Sequence, residues 1–279
     1  SSPGRSSGFG LSRNRAGSIS PVALITVKRQ DFEAMKTRLF DSRHAINGDV
    51  AELEGDRARY LGRVLRLRVG DDVAIFNGSG PEWAATISAM TKSKVTLAVG
   101  ERIESATESP LKIHLVQGIS RGERMDYVVQ KATELGVKRI TPVLTEYGVV
   151  KLDEKRAAKR REHWEGVAAS ACEQCGRTRL PLIDGPLALK DWFGARPVST
   201  DLDLILAPGA TTPLAGIEPP DTKVCILIGP EGGFSQIEYE DAEVAGFKAV
   251  SLGPRILRTE TAAVAALAVM QTNWGDLGR

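Results

Sequence analysis

Short apolar runs alternate with longer stretches of helical periodicity through the second half of the chain. Runs rich in Val, Ile and Leu predict buried strands at Lys112–Gln117, Arg139–Leu144, Leu202–Ala207, Val224–Ile228 and Ala249–Leu252. Segments with apolar residues at helical spacing lie between these runs. Strands that alternate with helices are typical of a parallel α/β sheet. We therefore predict an α/β domain over residues 109–279.

Local signals mark where several of these helices begin and end. Gly136 follows the first helix and is expected to stop it, and the next helix begins after Asp153 and ends near Gly176. Ser235 and Glu238 have the spacing of a capping box, in which each side chain bonds the other residue's backbone N–H. A third helix is therefore predicted to begin at Ser235.

The first half of the chain has shorter strand-like runs and a different architecture. These runs lie at residues 36–40, 72–76, 83–89 and 94–99, and their spacing predicts a small β-barrel, which we assign to residues 35–108. Residues 1–34 are rich in Ser, Gly and Arg and have no acidic residue before Asp31. We predict that they are a disordered leader or a targeting extension.

The composition argues against a membrane-spanning protein and against nucleic-acid binding through a large overall charge. Hydrophobic residues make up 42% of the chain and charged residues 26%, as in a globular protein, and no apolar run is long enough to span a membrane. Three cysteines favour a reducing compartment, so we expect the cytoplasm, or an organelle matrix if the leader is a transit peptide. The formal net charge is only +2, so any nucleic-acid binding must use local basic patches.

One such patch lies on a helical segment of the predicted barrel. Leu61, Val64 and Leu65 are expected to share an apolar face, and arginines at i, i+4 and i+7 lie on the adjoining face. A solvated helix face is the ordinary interpretation of such a charge run. Arginines on a small barrel also suit RNA phosphates, and we favour that interpretation. The predicted phosphate contacts are Arg59, Arg63 and Arg66 on this segment, along with Arg38.

Two glycine–proline loops follow neighbouring predicted strands. The first contains Glu231 between Pro230 and Gly232, and the second contains Arg255 and Arg258. Glycines let a backbone approach a ligand closely, so the two loops predict a polar site on an apolar floor. The alternative is a pair of tight connections that need glycine for their geometry. Neither loop is a dinucleotide fingerprint or a P-loop.

Cys172 and Cys175 have a spacing that also occurs in redox and zinc sites. A zinc site needs two more ligands, and only Cys225 and three scattered histidines remain. We therefore expect structural cysteines and no metal site.

Four segments together resemble one known family. Residues 114–125 with 130–137 resemble its first motif, Glu173–Arg177 its middle signature, and the loops 228–234 and 252–261 its cofactor motifs. The family is that of the RsmE-type 16S rRNA (uridine-N3) methyltransferases, in the SPOUT superfamily of knotted methyltransferases. The resemblance runs from about Met35 to Gly278.

The resemblance implies a PUA-like RNA-binding barrel, a knotted parallel-sheet SPOUT domain, the cofactor S-adenosylmethionine and a homodimer that shares its active sites. The apolar helix expected at Ala262–Met270 also calls for a partner surface. One departure lies at Ala207–Gly209, where relatives often have His-Pro, so a contribution from that loop is in doubt. The predicted cofactor contacts are Leu206, Ile228, Gly229, Pro230, Gly232, Gly233, Leu252, Gly253, Leu257 and Thr259.

The implied activity is methylation of N3 of one uridine in 16S rRNA of the small ribosomal subunit. We predict Glu231 as the proton acceptor, with a pKa raised by desolvation, and Arg258 as a donor to a uracil carbonyl. Arg121 and Arg124 are expected to hold the target phosphate. Helix capping by Glu231 and pairing of Arg258 with Glu260 stay open. The alternative functions are a non-catalytic rRNA-binding or assembly factor, or a related enzyme that methylates a ribose 2′-hydroxyl or another base.

Overall fold

The computed structural model of the chain describes residues 37–41, 49–148, 153–196 and 201–278. It has two β-sheets, the first formed by residues 38–104 and the second by residues 112–250. The boundary predicted between residues 108 and 109 lies in the segment that connects them. The leader predicted at residues 1–34 lies outside the described residues. Within the described ranges, no helix has the length and apolar character needed to cross a membrane.

The first sheet is five-stranded and mixed. Its strands are β1 (Arg38–Phe40), β2 (Val50–Glu54), β3 (Asp72–Phe76), β4 (Pro81–Met90) and β5 (Lys94–Glu104). Their order is β1-β3-β4-β5-β2, and only the β1–β3 pair is parallel. Two register shifts between β4 and β5 bend the sheet around an apolar core. The sequence missed β2, because alternating acidic residues interrupt its short apolar pattern.

The basic helix α1 (Asp56–Arg63) is shorter than predicted. Arg66 lies beyond its end with φ at 56°, in the left-handed region, so the predicted helical face that continues to Arg66 is wrong. Val64 and Leu65 are also exposed, and Leu67 packs against the core in their place. Leu67 reaches the core because the chain reverses after Arg63, where Leu67 N–H donates to the Leu61 carbonyl.

The second sheet is parallel and confirms the predicted α/β class. Its strands are β6 (Lys112–Gly118), β7 (Arg139–Leu144), β8 (Leu182–Ile183), β9 (Leu187–Ala188), β10 (Leu202–Leu206), β11 (Lys223–Ile228) and β12 (Lys248–Val250). The strand order is β12-β10-β11-β6-β7-β8, and β9 also pairs with β7. The helices are α2 (Arg124–Glu134), α3 (Glu154–Cys175), α4 (Leu189–Ala195), α5 (Gln236–Val244) and α6 (Thr259–Trp274), with a 3₁₀ turn at Leu214–Gly216.

Strand alternation sorts this domain into three layers. In β11, Ile226 and Ile228 belong to the cluster that contains α2, α3 and α6 residues, whereas Cys225 and Leu227 face the cluster with α4 and α5 residues. Both faces of the sheet are therefore covered, which explains why its strands read as nearly continuous apolar runs.

The predicted helix ends are present. Gly136 follows α2 with φ at 78°, and Gly176 caps α3 with φ at 89°. The side chain of Asp153 accepts from the backbone N–H of Arg156, and the Ser235–Glu238 capping box is complete. These ends depend on contacts within four residues, so sequence spacing alone specifies them.

Helix α6 brings the end of the chain back across the sheet. After the edge strand β12, the hydroxyl of Thr259 donates to the Gly229 carbonyl at 2.6 Å and accepts from Gln117 Nε2 at 2.9 Å. At the other end of α6, Gln271 donates to the Leu135 carbonyl at 2.7 Å. This return places the first turn of α6 against the loop after β11.

Polar contacts join the two sheets where α3 ends. Arg38 forms an ion pair with Glu82, at 2.9 Å, and also donates to the carbonyls of Cys172 and Arg177. Its side chain is only 9% exposed, so the prediction that Arg38 contacts RNA phosphate is wrong. Burial raises the pKa of Glu82 even though the Arg38 guanidinium opposes that shift.

The middle signature, Glu173–Arg177, makes further contacts where the two sheets meet. Arg177 is buried and donates twice to Glu108, at 2.9 and 3.0 Å. Glu173 accepts from the Phe40 backbone N–H and pairs with Arg57. The signature Glu173–Arg177 therefore holds the two sheets together.

Candidate cofactor and RNA site

Three neighbouring strands end at one cavity. Residues after the carboxyl ends of β10, β11 and β12, together with the first turn of α6, line a cavity of 430 Å³. Ligands of open parallel sheets bind in the crevice outside the carboxyl ends of the strands. The cavity volume lies within the roughly 300–1,000 Å³ range of small-molecule sites.

The loop after β11 folds back on itself. Gly233 has φ at 71°, and its N–H donates to the Pro230 carbonyl at 2.9 Å. A Cβ on Gly229 would lie 3.2 Å from Gly233 Cα, so a side chain there would push the two ends of the turn apart by a few tenths of an ångström. A Cβ on Gly118 would lie 2.4 Å from Pro230 Cδ. The end of β6 therefore supports the turn from behind.

Nine of the ten predicted cofactor residues line this one cavity. They are Leu206, Ile228, Gly229, Pro230, Gly233, Leu252, Gly253, Leu257 and Thr259. The exception is Gly232, which lines a smaller neighbouring cavity and lies against Tyr147. A Cβ on Gly232 would lie 2.8 Å from the Tyr147 carbonyl oxygen, so this glycine permits close packing of two loops.

The residues present suit a cofactor with both apolar and polar parts. Leucine and isoleucine side chains form the walls, and the glycine turn leaves backbone accessible. Two buried oxygens beside the cavity, Gln117 Oε1 and Glu260 Oε2, have no hydrogen-bond partner within the described residues. Unpaired buried acceptors are uncommon in proteins and call for donors from a bound molecule or water.

Glu231 does not have the raised pKa that we predicted for it. Its carboxylate forms an ion pair with Arg124 and accepts from the Arg121 backbone N–H. Burial alone would raise the pKa, but hydrogen bonds from its own backbone, Arg124 and Arg121 more than offset that effect and lower it. A carboxylate held in this way is a weaker base.

Arg121 and Arg258 lie at the rims of the two cavities. Both side chains are exposed and make no hydrogen bond or ion pair with any described residue. Arg258 immediately precedes α6 and lines the larger cavity, and Arg121 lines the smaller one. Arg124 lines both cavities, so it lies where they meet.

The arginines of α1 and of the turn that follows it differ in whether they have an ion-pair partner. Arg59 pairs with Asp56, whereas Arg63 and Arg66 are exposed and form no ion pair among the described residues. Their guanidinium groups therefore remain available to an anionic ligand.

The three cysteines are free thiols. Burial raises the pKa of Cys172 to about 12, and it also raises the pKa of Cys225 and Cys175. Thiols in such surroundings are inert, because the thiolate is the form that binds metals and reacts.

The structure adds residues that sequence reasoning missed. Ala207 and Pro208 line the cavity although their loop departs from the family pattern. Glu260 also lines it, and its position inside the second cofactor motif was the available signal. Two further lining residues are Phe234, which ends the loop 228–234, and Tyr239, which follows it, and their rings form an aromatic pair with centroids 5.6 Å apart.

Comparison with known proteins agrees with this geometry. The model of an RNA methyltransferase domain matches residues 107–271, and that of an RNA methyltransferase PUA domain matches residues 53–100. Ribosomal RNA small subunit methyltransferase E of Buchnera aphidicola is 36% identical over 228 residues, which cover 82% of this chain and 92% of the relative. The Bacillus subtilis protein of the same name is 29% identical and covers 78% of this chain, with 88% of the relative covered.

Solved structures extend the similarity to three dimensions. Ribosomal RNA small subunit methyltransferase E of Neisseria gonorrhoeae, bound to S-adenosylmethionine, has a TM-score of 0.79 and 37% identity, covering 86% of this chain and 99% of its own. A Legionella pneumophila methyltransferase with the same bound cofactor has a TM-score of 0.82, 40% identity and the same two coverages.

A PUA-like curled sheet followed by a SPOUT-type parallel sheet with a cavity at its carboxyl edge defines an RNA methyltransferase. Within that class, the chain belongs to the RsmE-type family, whose members are named ribosomal RNA small subunit methyltransferase E.

Proposed function

We propose that this protein transfers a methyl group from S-adenosylmethionine to N3 of one uridine in 16S rRNA of the small ribosomal subunit. The observation that supports this most directly is that residues of both cofactor loops, 228–234 and 252–261, line one cavity. Because the chain belongs to this family, we propose that the RNA that accepts the methyl group is small-subunit rRNA. Relatives with this name are bacterial, and the proposed site of action is the cytoplasm, where a bacterial ribosome assembles.

In this proposal, the nine cavity residues and the backbone of the glycine turn hold the cofactor. When bound, S-adenosylmethionine supplies an electrophilic methyl group. Leu206, Leu252 and Leu257 would cover its apolar parts and exclude water from the reacting centre. Glu231 would orient Arg124 rather than take the proton, because Arg124 and the Arg121 N–H already occupy its carboxylate.

The RNA would approach from the exposed arginines. Arg121 and Arg258 are proposed to contact the target nucleotide or its phosphates, and Arg63 and Arg66 to contact phosphates farther along the RNA. Arg258 is placed to donate to a uracil carbonyl as negative charge spreads from N3 to oxygen. Arg59 would contribute less, because Asp56 already neutralises part of its charge.

We also propose a homodimer. Val264, Ala265 and Ala268 are only half-buried and share one face of α6, opposite the residues that pack into the core. A partner surface would remove this apolar face from water. Val264→Glu should then give a monomer by sedimentation, whereas Asn273→Glu, an exposed control on the same helix, should stay dimeric. A Val264→Glu protein that remains a dimer would exclude this face as the interface.

The experiment that tests the activity uses small subunits from a strain that lacks its own enzyme of this kind. The protein is incubated with them and tritium-labelled cofactor, and the modified nucleoside is identified by mass spectrometry. We expect 3-methyluridine. A ribose-methylated nucleoside or another methylated base would indicate the related enzymes, and RNA binding without transfer would indicate an assembly factor.

A further inference from the structure

Glu260 has a partly buried carboxyl group with an unused acceptor oxygen. It is the second residue of α6 and lines the large cavity. Its side chain is 16% exposed, and its Oε2 has no hydrogen-bond partner among the described residues. Its other oxygen lies 3.9 Å from Arg124 Nε, too far for a hydrogen bond. A buried carboxyl oxygen left in this state needs a donor from a bound molecule or water.

Glu260 lies close to the place where the two cavities meet. Arg124, which is its nearest cation, lines both the large cavity and the smaller one of 280 Å³. The smaller cavity is also lined by Tyr147, a half-exposed aromatic ring, and by Arg121. Aromatic rings stack on nucleic-acid bases of any sequence. A base seated on Tyr147 would therefore lie near the Arg124 end of the cofactor cavity.

The loop that presents Tyr147 is held in place from two sides. Gly232 allows this loop to pack closely, and the backbone N–H of Glu146 donates to the Glu238 carboxylate at 2.8 Å. The backbone that carries the ring is therefore held in place before RNA binds, which limits the entropy lost on binding.

A uracil base cannot react at N3 while the proton remains there, because the nitrogen lone pair is delocalised into two carbonyl groups. A nearby group must accept that proton during transfer. Glu231 is a poor acceptor because Arg124 and the Arg121 N–H already bind it. Glu260 is the other carboxylate lining the large cavity.

We propose that Oε2 of Glu260 accepts the N3 proton of the target uracil. This proposal rests on the proposed methylation of uridine N3. As the N3–H bond breaks, its proton passes to Glu260, and the electron pair freed on N3 forms the bond to the methyl carbon. The carbon–sulfur bond breaks at the same time, and its electron pair stays on sulfur. No other reactant is needed, and the proton later leaves Glu260 for water.

The main test is Glu260→Gln, which keeps the shape of the side chain and removes its basicity. We expect cofactor affinity, measured by calorimetry, to stay within about twofold, because the cavity walls are unchanged. The single-turnover methylation rate, with RNA and cofactor saturating, should fall by about 10² or more, as for loss of a general base. Glu243→Gln, an exposed glutamate on α5, is the matched control and should keep the wild-type rate.

Two further measurements separate proton acceptance from a structural role. The methylation rate of Glu260→Gln should rise with pH, because hydroxide replaces the lost base. RNA with 5-fluorouridine in place of the target uridine has a more acidic N3–H. This RNA should therefore raise the methylation rate of the variant by a larger factor than that of the wild type. Glu260→Asp keeps a carboxylate and should retain a wild-type pH profile at a reduced rate. Arg124, Arg255, Arg258, Glu231 and Tyr239 also line this cavity and are the same in every variant.

Each outcome decides the proposal. A Glu260→Gln protein with wild-type rate and pH profile would overturn it. A loss of cofactor affinity greater than about tenfold, with no extra gain from 5-fluorouridine, would assign Glu260 to cofactor binding. If the wild-type protein itself produced no 3-methyluridine, the proposed function would fail first, and that result is visible before any variant is made.

Discussion

The contact between Gly118 and the cofactor loop gives a sharp test of how the site is built. Gly118 ends β6, and a Cβ placed on it would lie 2.4 Å from Pro230 Cδ and 2.5 Å from Pro230 N. Carbon atoms in contact are normally separated by about 3.5–4.0 Å, so Gly118→Ala must move the Gly229–Pro230 turn by roughly 1 Å. Neither backbone nor a proline ring can rotate away, so the whole turn has to shift.

The cost of this shift follows from overpacking in a core. Inserting a methyl group where there is no room costs about 1–3 kcal/mol. At roughly 2–4 °C per kcal/mol for a protein of this size class, the melting temperature should fall by several degrees. If the cofactor needs the turn in its original position, binding has to restore that position. Each cost of about 1.4 kcal/mol weakens affinity tenfold, so we expect cofactor affinity to fall about tenfold as well.

The matched control is Gly166→Ala. Gly166 lies inside α3, and a Cβ there would meet nothing within 4 Å. Alanine should stabilise that helix by about 0.5–1 kcal/mol and leave cofactor affinity unchanged. Both variants are compared with the wild type by thermal unfolding and by calorimetry with S-adenosylmethionine. If Gly118→Ala matches Gly166→Ala in both measurements, the tight support of the turn by β6 is refuted.

Three further predictions follow from charges. Arg38→Met should lower the free energy of unfolding, measured by denaturant titration, by about 3 kcal/mol. The reason is that the Glu82 side chain, only 2% exposed, loses its ion-pair partner. A change below about 0.5 kcal/mol would contradict this prediction. Burial lowers the pKa of His114 from 6.5 to about 4, so the unfolded chain binds this proton more readily and stability should fall as pH drops from 6.5 to 4. The loss should approach about 3 kcal/mol, and a His114→Gln protein with the same pH dependence as the wild type would refute the assignment. Arg63→Ala and Arg66→Ala should each reduce the slope of log affinity for rRNA against log salt by about one, and unchanged slopes would make these residues a solvated surface.

Local sequence determined five of the seven strands of the second sheet closely, whereas the short strands β8 and β9 and the helix α4 were not predicted. The ends of β7 agree with the prediction, and Gly136, Gly176 and the Ser235 capping box mark helix ends as expected. These features depend on hydrogen bonds and φ angles within a few residues. The sequence also grouped the two glycine–proline loops at one edge of the sheet, because the carboxyl ends of parallel strands lie on the same side. The two strands were expected to be neighbours, but β10 lies between β11 and β12.

Other features were decided only by tertiary structure. The sequence shows Arg38 as one basic residue among many, but the fold buries it against Glu82 and the end of α3, so it cannot contact RNA. The end of α1 was misplaced because Leu67, and not Leu65, reaches the barrel core. Both outcomes depend on residues far away in the chain, which periodicity does not include.

For the carboxylates of Glu231 and Glu260, too, the sequence determined one part of the outcome and the tertiary structure the other. Sequence placed Glu231 in a glycine turn, where desolvation was expected to raise its pKa, and it placed Glu260 in the neighbouring motif without a role. The return of α6 across the sheet puts Glu260 into the cavity, while α2 supplies Arg124 to Glu231 and lowers the pKa of that carboxyl. A motif therefore specifies which groups reach a site. Which of them keeps a free lone pair depends on the partners that distant elements bring to it, because hydrogen bonding to the charged form sets the basicity of a carboxylate.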